Sequence, residues 1–385
     1  MKKHLLVLNN GSSSLKFAVF ELANLSGLRQ KKISKQVLSG SICLQGDKSV
    51  LIYNNKKINH QAPYSLKNWW HYIYELIKDF DIQYVGFRMV HGGEEFTDTT
   101  IVNISFLKNI KKYNKLAPLH NPNALELMHL VKDTWPRVQI AVNFDTAWHH
   151  SLPEAVYLYS LPIDYYKKYQ IRKYGFHGLS HEAATNYAAK VLNKKVDKLK
   201  LITCHLGSGG SITWYLDGQV KDTSMGFSPN EGLTMSTRSG DLPPSVVFYL
   251  ASEAKMSLSN ISELLNKKSG LLGLAGLADL RDILLASGYK VAGYKNILKF
   301  TKDQRQAAKL ALDIYIYDIR RYIASYLAMS KKLDAIVFTG PVAANNTIRS
   351  MIMKNLQKPK GTKILLAPEG EIINIAEKTI KCLSK

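Results

Sequence analysis

Apolar residues along this chain follow two patterns: short unbroken runs beside turns of small polar residues, and longer stretches that step by three and four. The first pattern opens the chain. Residues 4–8 predict a strand, 9–14 a turn and 15–22 a second strand. The same order returns later, with a strand over 199–205, a Gly/Ser turn over 207–211 and a strand over 212–216 closed by Asp217-Gly218. Two such units, roughly two hundred residues apart, point to an old duplication. A third turn, Thr339-Gly340, follows the apolar strand 335–338.

The second pattern marks helices. Residues 122–135 place Leu125, Leu127, Met128, Leu130 and Val131 on one face behind a Pro-Asn start, and 181–192 do the same with Ala183, Ala184, Tyr187, Ala188 and Val191. The longest stretch, 302–329, carries Ala308, Leu312, Ile316, Ile319, Ile323 and Leu327. A stripe of that kind is core packing rather than a ligand box. Strands and helices mixed in two related halves predict an α/β protein with its site in a cleft between lobes.

Length and composition narrow the class. A chain of 385 residues suggests two or three domains, and 46% hydrophobic residues exclude a disordered or fibrous chain. Runs such as 5–8 and 335–338 are too short to span a membrane. Lys2-Lys3 ahead of 5–8 imitates a secretion signal, but the run stops at Asn9-Asn10, so the expected location is cytoplasmic. Cys43, Cys204 and Cys382 share no metal-ligand spacing and read as small buried apolar residues in a reducing compartment.

Lys plus Arg total 52 against 30 acidic residues, a formal charge of +22. The basic residues scatter over 31–35, 108–115, 167–173, 194–200 and 354–363, without a zinc finger, RNP-like string or helix-turn-helix. They read as solvated helix faces, and no nucleic-acid partner is expected. The charge favours small anions in any cleft.

Candidate chemistry lies between the patterns. In Asn9-Asn10-Gly11-Ser12-Ser13-Ser14-Leu15-Lys16, a tight hairpin can turn N–H groups and hydroxyls toward one anion. Lys16 adds a point charge, and Asn9 offers an oxygen to hydrated Mg²⁺. The GxxxxGK[ST] spacing is missing. His205-Leu206-Gly207-Ser208-Gly209-Gly210-Ser211 repeats the design, and two nests suit a polyphosphate held across a cleft.

Arg88 ends an apolar stretch, where it serves either as a carboxylate or phosphate clamp or as half of a structural ion pair. Asp145 follows the strand 140–142, a position that suits catalysis or the capping of a turn. In Tyr174-Gly175-Phe176-His177-Gly178-Leu179-Ser180-His181, flanking glycines leave His177 on bare backbone; its HxxxH spacing lacks the glutamate and third ligand that zinc would need. Residues 222–241 are dense in small and charged residues without apolar period, as in a substrate loop. Within that loop, Arg238 is set to stabilise a transferring phosphoryl group.

These runs resemble the acetokinase family, within the acetate and sugar kinase/Hsp70/actin superfamily. The likeness rests on NNGSSSLK (9–16), FRMVHGG (87–93), FDTAWHH (144–150), YGFHGLSH (174–181) and DTSMGFSPNEG with TRSGDL (222–242), in family order. The resemblance implies a two-lobed, actin-like duplicated fold of the ribonuclease H type. One lobe would span 1–146, completed by 372–385; a nucleotide-binding and dimerisation lobe would span 147–371. It implies reversible in-line transfer of the ATP γ-phosphoryl group to acetate, giving acetyl phosphate and ADP, with Mg²⁺ or Mn²⁺, in a homodimer.

Residue by residue, the resemblance gives the metal to Asn9 and Glu371, the latter in Pro368-Glu369-Gly370-Glu371. Ser12, Ser14 and Lys16 would surround the phosphates, with His205, Leu206, Gly207, Ser208 and Gly209. Asp279, Leu280, Arg281 and Gly340 fall on the adenosine side. Arg88 would bind the acetate carboxylate, with Val90, Leu119, Phe176 and Pro229 around its methyl group. Asp145, His177 and Arg238 would be catalytic.

Two departures stand out. The family's glycine-rich turn after the third strand reads Pro341-Val342-Ala343-Ala344-Asn345 here, which bears on adenosine binding, and Ser208 stands where the family has Asn. Alternatives are a propionate or other short-chain acyl kinase, a pyrophosphate-dependent enzyme, and a non-catalytic binding protein.

Overall fold

The apolar run after Lys3 becomes strand β1 (Lys3–Asn10), buried from His4 onward because it is covered on both faces. The computed structural model describes residues 2–11, 14–24, 31–45, 48–54, 56–60, 65–118, 120–294 and 298–384. The chain divides into two units, one of Met1–His150, His177–Ala183 and Gly370–Lys385, the other of Ser151–Phe176 and Ala184–Glu369.

In the first unit, β1 joins β2 (Ser14–Asn24), β3 (Lys31–Gln45), β4 (Lys48–Tyr53), β5 (Lys56–His60), β6 (Asp81–Met89), β7 (Thr100–Ile101) and β8 (Gln139–Phe144). They form one sheet in the order β5-β4-β3-β2-β1-β6-β8-β7. β1 lies antiparallel to β2 and parallel to β6, so Leu8 faces Phe17 on one side and Phe87 on the other. β6 runs parallel to β8 and sets Arg88 opposite Asn143.

The period-two alternation sorts β1 between two cores. Leu6 and Leu8 pack with Phe17, Phe87, Trp69 and Ile73 against helices Leu66–Ile77 and Asn121–Thr134. Leu5 and Val7 pack with Ala18, Leu179, Ile375 and Ile380, which brings helix Glu371–Leu383 onto the opposite face.

The second unit holds β9 (Lys200–Leu206), β10 (Gly210–Leu216), β11 (Gln219–Thr223), β12 (Ala335–Thr339) and β13 (Lys363–Leu366), ordered β11-β10-β9-β12-β13. Two antiparallel pairings are followed by two parallel ones, the same succession as β3-β2-β1-β6-β8. This repeat is the structural form of the duplication. Helix Lys302–Ala328 starts at a Thr301/Gln304 capping box and buries Leu312, Ile316, Ile319 and Ile323 as the spacing predicts.

Several expectations need correction. Residues 31–35 lie in β3, 354–362 in irregular chain and Lys363 at the start of β13, not on helix faces. Cys204 is buried, but Cys43 and Cys382 are only half-buried. The helix expected from 181 begins at Gly178. Among the described residues, no helix is long and apolar enough to cross a membrane.

Candidate active site

In the first unit, four predicted residues meet around one guanidinium. Arg88 leaves β6 and gives Nε to Asp145 Oδ1 at 3.0 Å and Nη2 to Asp145 Oδ2 at 2.6 Å. Its Nη1 donates to Asn9 Oδ1, at the end of β1, at 3.1 Å. Glu371, first residue of its helix, brings Oε1 to 3.2 Å from Arg88 Nε. The side chains are 14% (Arg88), 1% (Asp145) and 22% (Glu371) exposed, so the cluster is screened from water without being sealed.

Charge in this cluster does not cancel: one cation faces two carboxylates. Burial pushes the Asp145 carboxyl above the usual carboxylate range; Arg88 opposes that rise and Glu371 adds to it. For Arg88, burial works against the charge, but Asp145 and then Glu371 hold its pKa above the ordinary value.

Asp145 also organises the backbone beside it. Its N–H donates to Met89 O at 3.1 Å, and its carbonyl accepts Gly178 N–H at 3.1 Å. The His177 backbone hydrogen-bonds its carboxylate, and His177 sits at φ 57°, in the left-handed region that non-glycine residues seldom occupy. Strain of this kind is held by surrounding contacts. His181 is buried and meets His149 edge-on, with ring centroids 5.8 Å apart.

Ser14 opens β2 and its carbonyl accepts Gly11 N–H at 2.7 Å, which closes the hairpin; Lys16 is exposed and opposite Asn9. Val90 is buried just past β6. Ser12 and Leu119 lie outside the described residues.

In the second unit, the β9–β10 turn carries His205 to Gly209, with Gly207 N–H on Gly209 O at 2.8 Å. Two other runs are tied to this turn. Ser236 N–H donates to Ser208 O at 3.1 Å, and Val342 and Ala343 N–H reach Leu206 O at 3.0 and 3.4 Å, just after Gly340. Despite its altered sequence, the 341–345 turn thus docks on the β9–β10 turn, and Asn345 caps the helix Asn346–Met353.

Arg238 Nη1 donates to Pro229 O at 3.1 Å. Phe176 is buried. Asp279 caps the helix Leu280–Ala286 and binds Arg281 through Nε at 3.0 Å and Nη2 at 2.6 Å, while that guanidinium lies 4.2 Å over the Tyr294 ring. The Arg281 hydrogen bond holds the Asp279 carboxyl below its usual range.

The donor set suits a hard cation. Asn9 Oδ1 and carboxylate oxygens of Asp145 and Glu371 all contact Arg88, and Mg²⁺ needs only one or two protein carboxylates when water and phosphate complete its octahedron. Among the described residues there is no group of three or more His, Cys, Asp or Glu able to hold a metal ion by itself.

The Acetokinase family model matches residues 4–364. The chain belongs to the acetokinase family. An acetate kinase of Acetivibrio thermocellus is 37% identical over 98% of both chains. The acetate kinase structure from Porphyromonas gingivalis has a TM-score of 0.83 at 31% identity, covering 99% of this chain and 100% of its own. A propionate kinase structure from Francisella tularensis gives 0.85 at 32% identity, covering 98% and 99%. Sequence reasoning gave no role to Tyr159 or Glu231, which share a hydrogen bond of 2.7 Å beside Phe227. Glu231 at least stands out as a carboxylate in a glycine-rich loop; nothing local marks Tyr159.

Proposed function

We propose that this chain is an acetate kinase that moves the γ-phosphoryl group of ATP reversibly to acetate, with Mg²⁺ or Mn²⁺. The observation that carries the reading is the Arg88 cluster, in a chain that the acetokinase family model matches over residues 4–364. Asp145 takes the Nε and Nη2 side of the guanidinium and Asn9 one Nη1 hydrogen. Of the five N–H groups, one on each Nη is left by these partners for an acetate carboxylate.

Acetate is already ionised near neutral pH, so its oxygen attacks phosphorus without a general base. Asp145 then serves to aim Arg88 and, with Asn9 and Glu371, to hold the metal. Asn9, Asp145 and Glu371 would hold Mg²⁺, which would supply positive charge to offset that of the phosphates. His177 and Arg238 stabilise negative charge on the equatorial oxygens of the transferring group. Ser12, Ser14, Lys16 and the 205–209 turn hold the other phosphates. Asp279 to Arg281 and Gly340 lie on the adenosine side.

Under this reading the first unit is the N-terminal lobe and the second the nucleotide-binding one, in a cytoplasmic homodimer. The likeness to a propionate kinase favours one second reading, since an extra methylene is worth only about 1–3 kcal/mol of discrimination.

Trapping acetyl phosphate as its hydroxamate tests the assignment. With ATP, acetate and Mg²⁺, Arg238→Ala is expected to lose about 10³-fold or more of the wild-type rate. Equal rates would remove Arg238 from the site. A wild type active with pyrophosphate but not ATP changes the donor, and one active with neither is a binding protein.

A further inference from the structure

The loop after β11 carries both Pro229 and Arg238, yet residues 224–243 contain neither helix nor strand. One carboxylate shapes its first turn. Glu231 Oε2 accepts the Tyr159 hydroxyl at 2.7 Å and the Phe227 N–H at 3.2 Å, while Oε1 accepts the Ser228 N–H at 3.0 Å. The Tyr159 oxygen itself accepts the Phe227 N–H at 2.8 Å. Residue 226 must be glycine for this approach, because a Cβ there would lie 1.7 Å from Glu231 Oε2 and 2.3 Å from the Tyr159 oxygen.

Both ends of the turn lead to predicted site residues. The Gly226 carbonyl accepts N–H groups of Tyr174 at 2.9 Å and Gly175 at 3.3 Å, on the chain entering Phe176. Pro229, next after Ser228, gives its carbonyl to Arg238 Nη1 at 3.1 Å. Burial, and then Glu231, push the Tyr159 hydroxyl above its ordinary pKa, which keeps it a donor.

We propose that Glu231 and Tyr159 form a clasp that fixes Pro229 and, through its carbonyl, the Arg238 guanidinium. The clasp thereby sets where the Pro229 ring and the Arg238 guanidinium stand within the second unit. Both are positioning residues, and the proposal rests on the acyl-kinase reading above. A staple with no bearing on the site would lower the folded fraction and the rates with all acids alike. A positioning clasp changes the ratio between acids, because the acetokinase resemblance puts Pro229 beside the acyl methyl group.

The test is steady-state kinetics of wild type, Tyr159→Phe and Glu231→Gln with acetate and propionate, alongside thermal melts. Tyr159→Phe is expected to lower kcat about tenfold and to move the acetate-to-propionate ratio of kcat/KM by about threefold or more, with the KM for ATP unchanged. Glu231→Gln should shift both further. If wild type makes no acyl phosphate from either acid, the acyl-kinase reading fails, and the clasp with it. If wild type is active, an unchanged ratio in Tyr159→Phe overturns the clasp, whether kcat holds or falls with the melting temperature. Should Glu231→Gln not fold, the near-isosteric Tyr159→Phe decides alone.

Discussion

Gly178 begins its helix directly against the carbonyl of Asp145: its N–H reaches that oxygen at 3.1 Å, and a Cβ at 178 would lie only 2.0 Å from it. The glycine that resembles ligand access in the sequence is, in the fold, what lets His177 and Asp145 come together. The same missing Cβ would lie 2.8 Å from the Trp148 Cβ, so the helix cannot simply slide aside.

Gly178→Ala should therefore displace His177 relative to Asp145. A shift of about 1 Å at such a site costs on the order of 10²-fold in kcat, with about 1–3 kcal/mol of overpacking strain. Hydroxamate kinetics with a denaturation curve would check this, and a variant with wild-type kcat would show that the contact does not set the catalytic geometry.

Legibility in the sequence followed burial. β1 and β9 were evident because strands buried on both faces are unbroken apolar runs. β3 was not: it reads KKISKQVLSGSICLQ, and much of it stays half-exposed or exposed, so lysines and serines dilute its period. The start of the helix at Gly178 was hidden because glycine signals a break when only local propensity is weighed.

The site was legible as residues but not as partners. Arg88 and Asp145 each stood out as charges in apolar surroundings, yet they are 57 residues apart and meet only because β6 and β8 pair in parallel. The sequence leaves Arg88 as either a ligand clamp or an ion-pair partner, and the fold shows its bonds to Asp145. Tyr159 had no local signature, because its role depends on which carboxylate the fold delivers to it.

His91 gives a pH prediction. Its Nδ1 accepts the Gly93 N–H at 3.0 Å, and burial holds its pKa down to about 3 against an ordinary 6.5. The unfolded chain therefore takes up a proton that the folded one refuses. Stability present above about pH 6.5 is lost as pH falls toward 3, by up to about 1.4 kcal/mol per pH unit. His91→Gln should be weaker by about 1–3 kcal/mol near neutral pH but decline less steeply on acidification. Guanidinium melts of both proteins from about pH 8 to 5 would check it; parallel curves would exclude His91 as a contributor.

Metal removal probes the Asn9–Glu371 assignment. Excess chelator should stop turnover, and Glu371→Gln should raise the Mg²⁺ concentration for half-maximal rate by about tenfold or more. Added Mg²⁺ should restore Glu371→Gln but not Arg238→Ala, since only the first loses a metal oxygen. Full activity in chelator, or no change in Mg²⁺ dependence, would take the metal away from these residues.

Arg88 and Asp145 should fail singly and recover together in stability, but not in rate. Arg88→Met strands a carboxylate that is 1% exposed, with Glu371 beside it, and breaking a buried pair from one side costs about 3–5 kcal/mol. Asp145→Asn costs less, because Glu371 still faces the guanidinium at 3.2 Å. With both changes no uncompensated charge is left on that pair, so the double variant should be more stable than Arg88→Met alone. Its coupling energy should be at least about 1 kcal/mol. Activity should behave oppositely. Groups acting as one unit are non-additive, so the double variant should be no slower than the worse single one, with each single change costing about 10²-fold or more. Additive stabilities would mean that the two bonds between Arg88 and Asp145 carry little energy, and a rescued rate would mean that the pair is scaffolding rather than site.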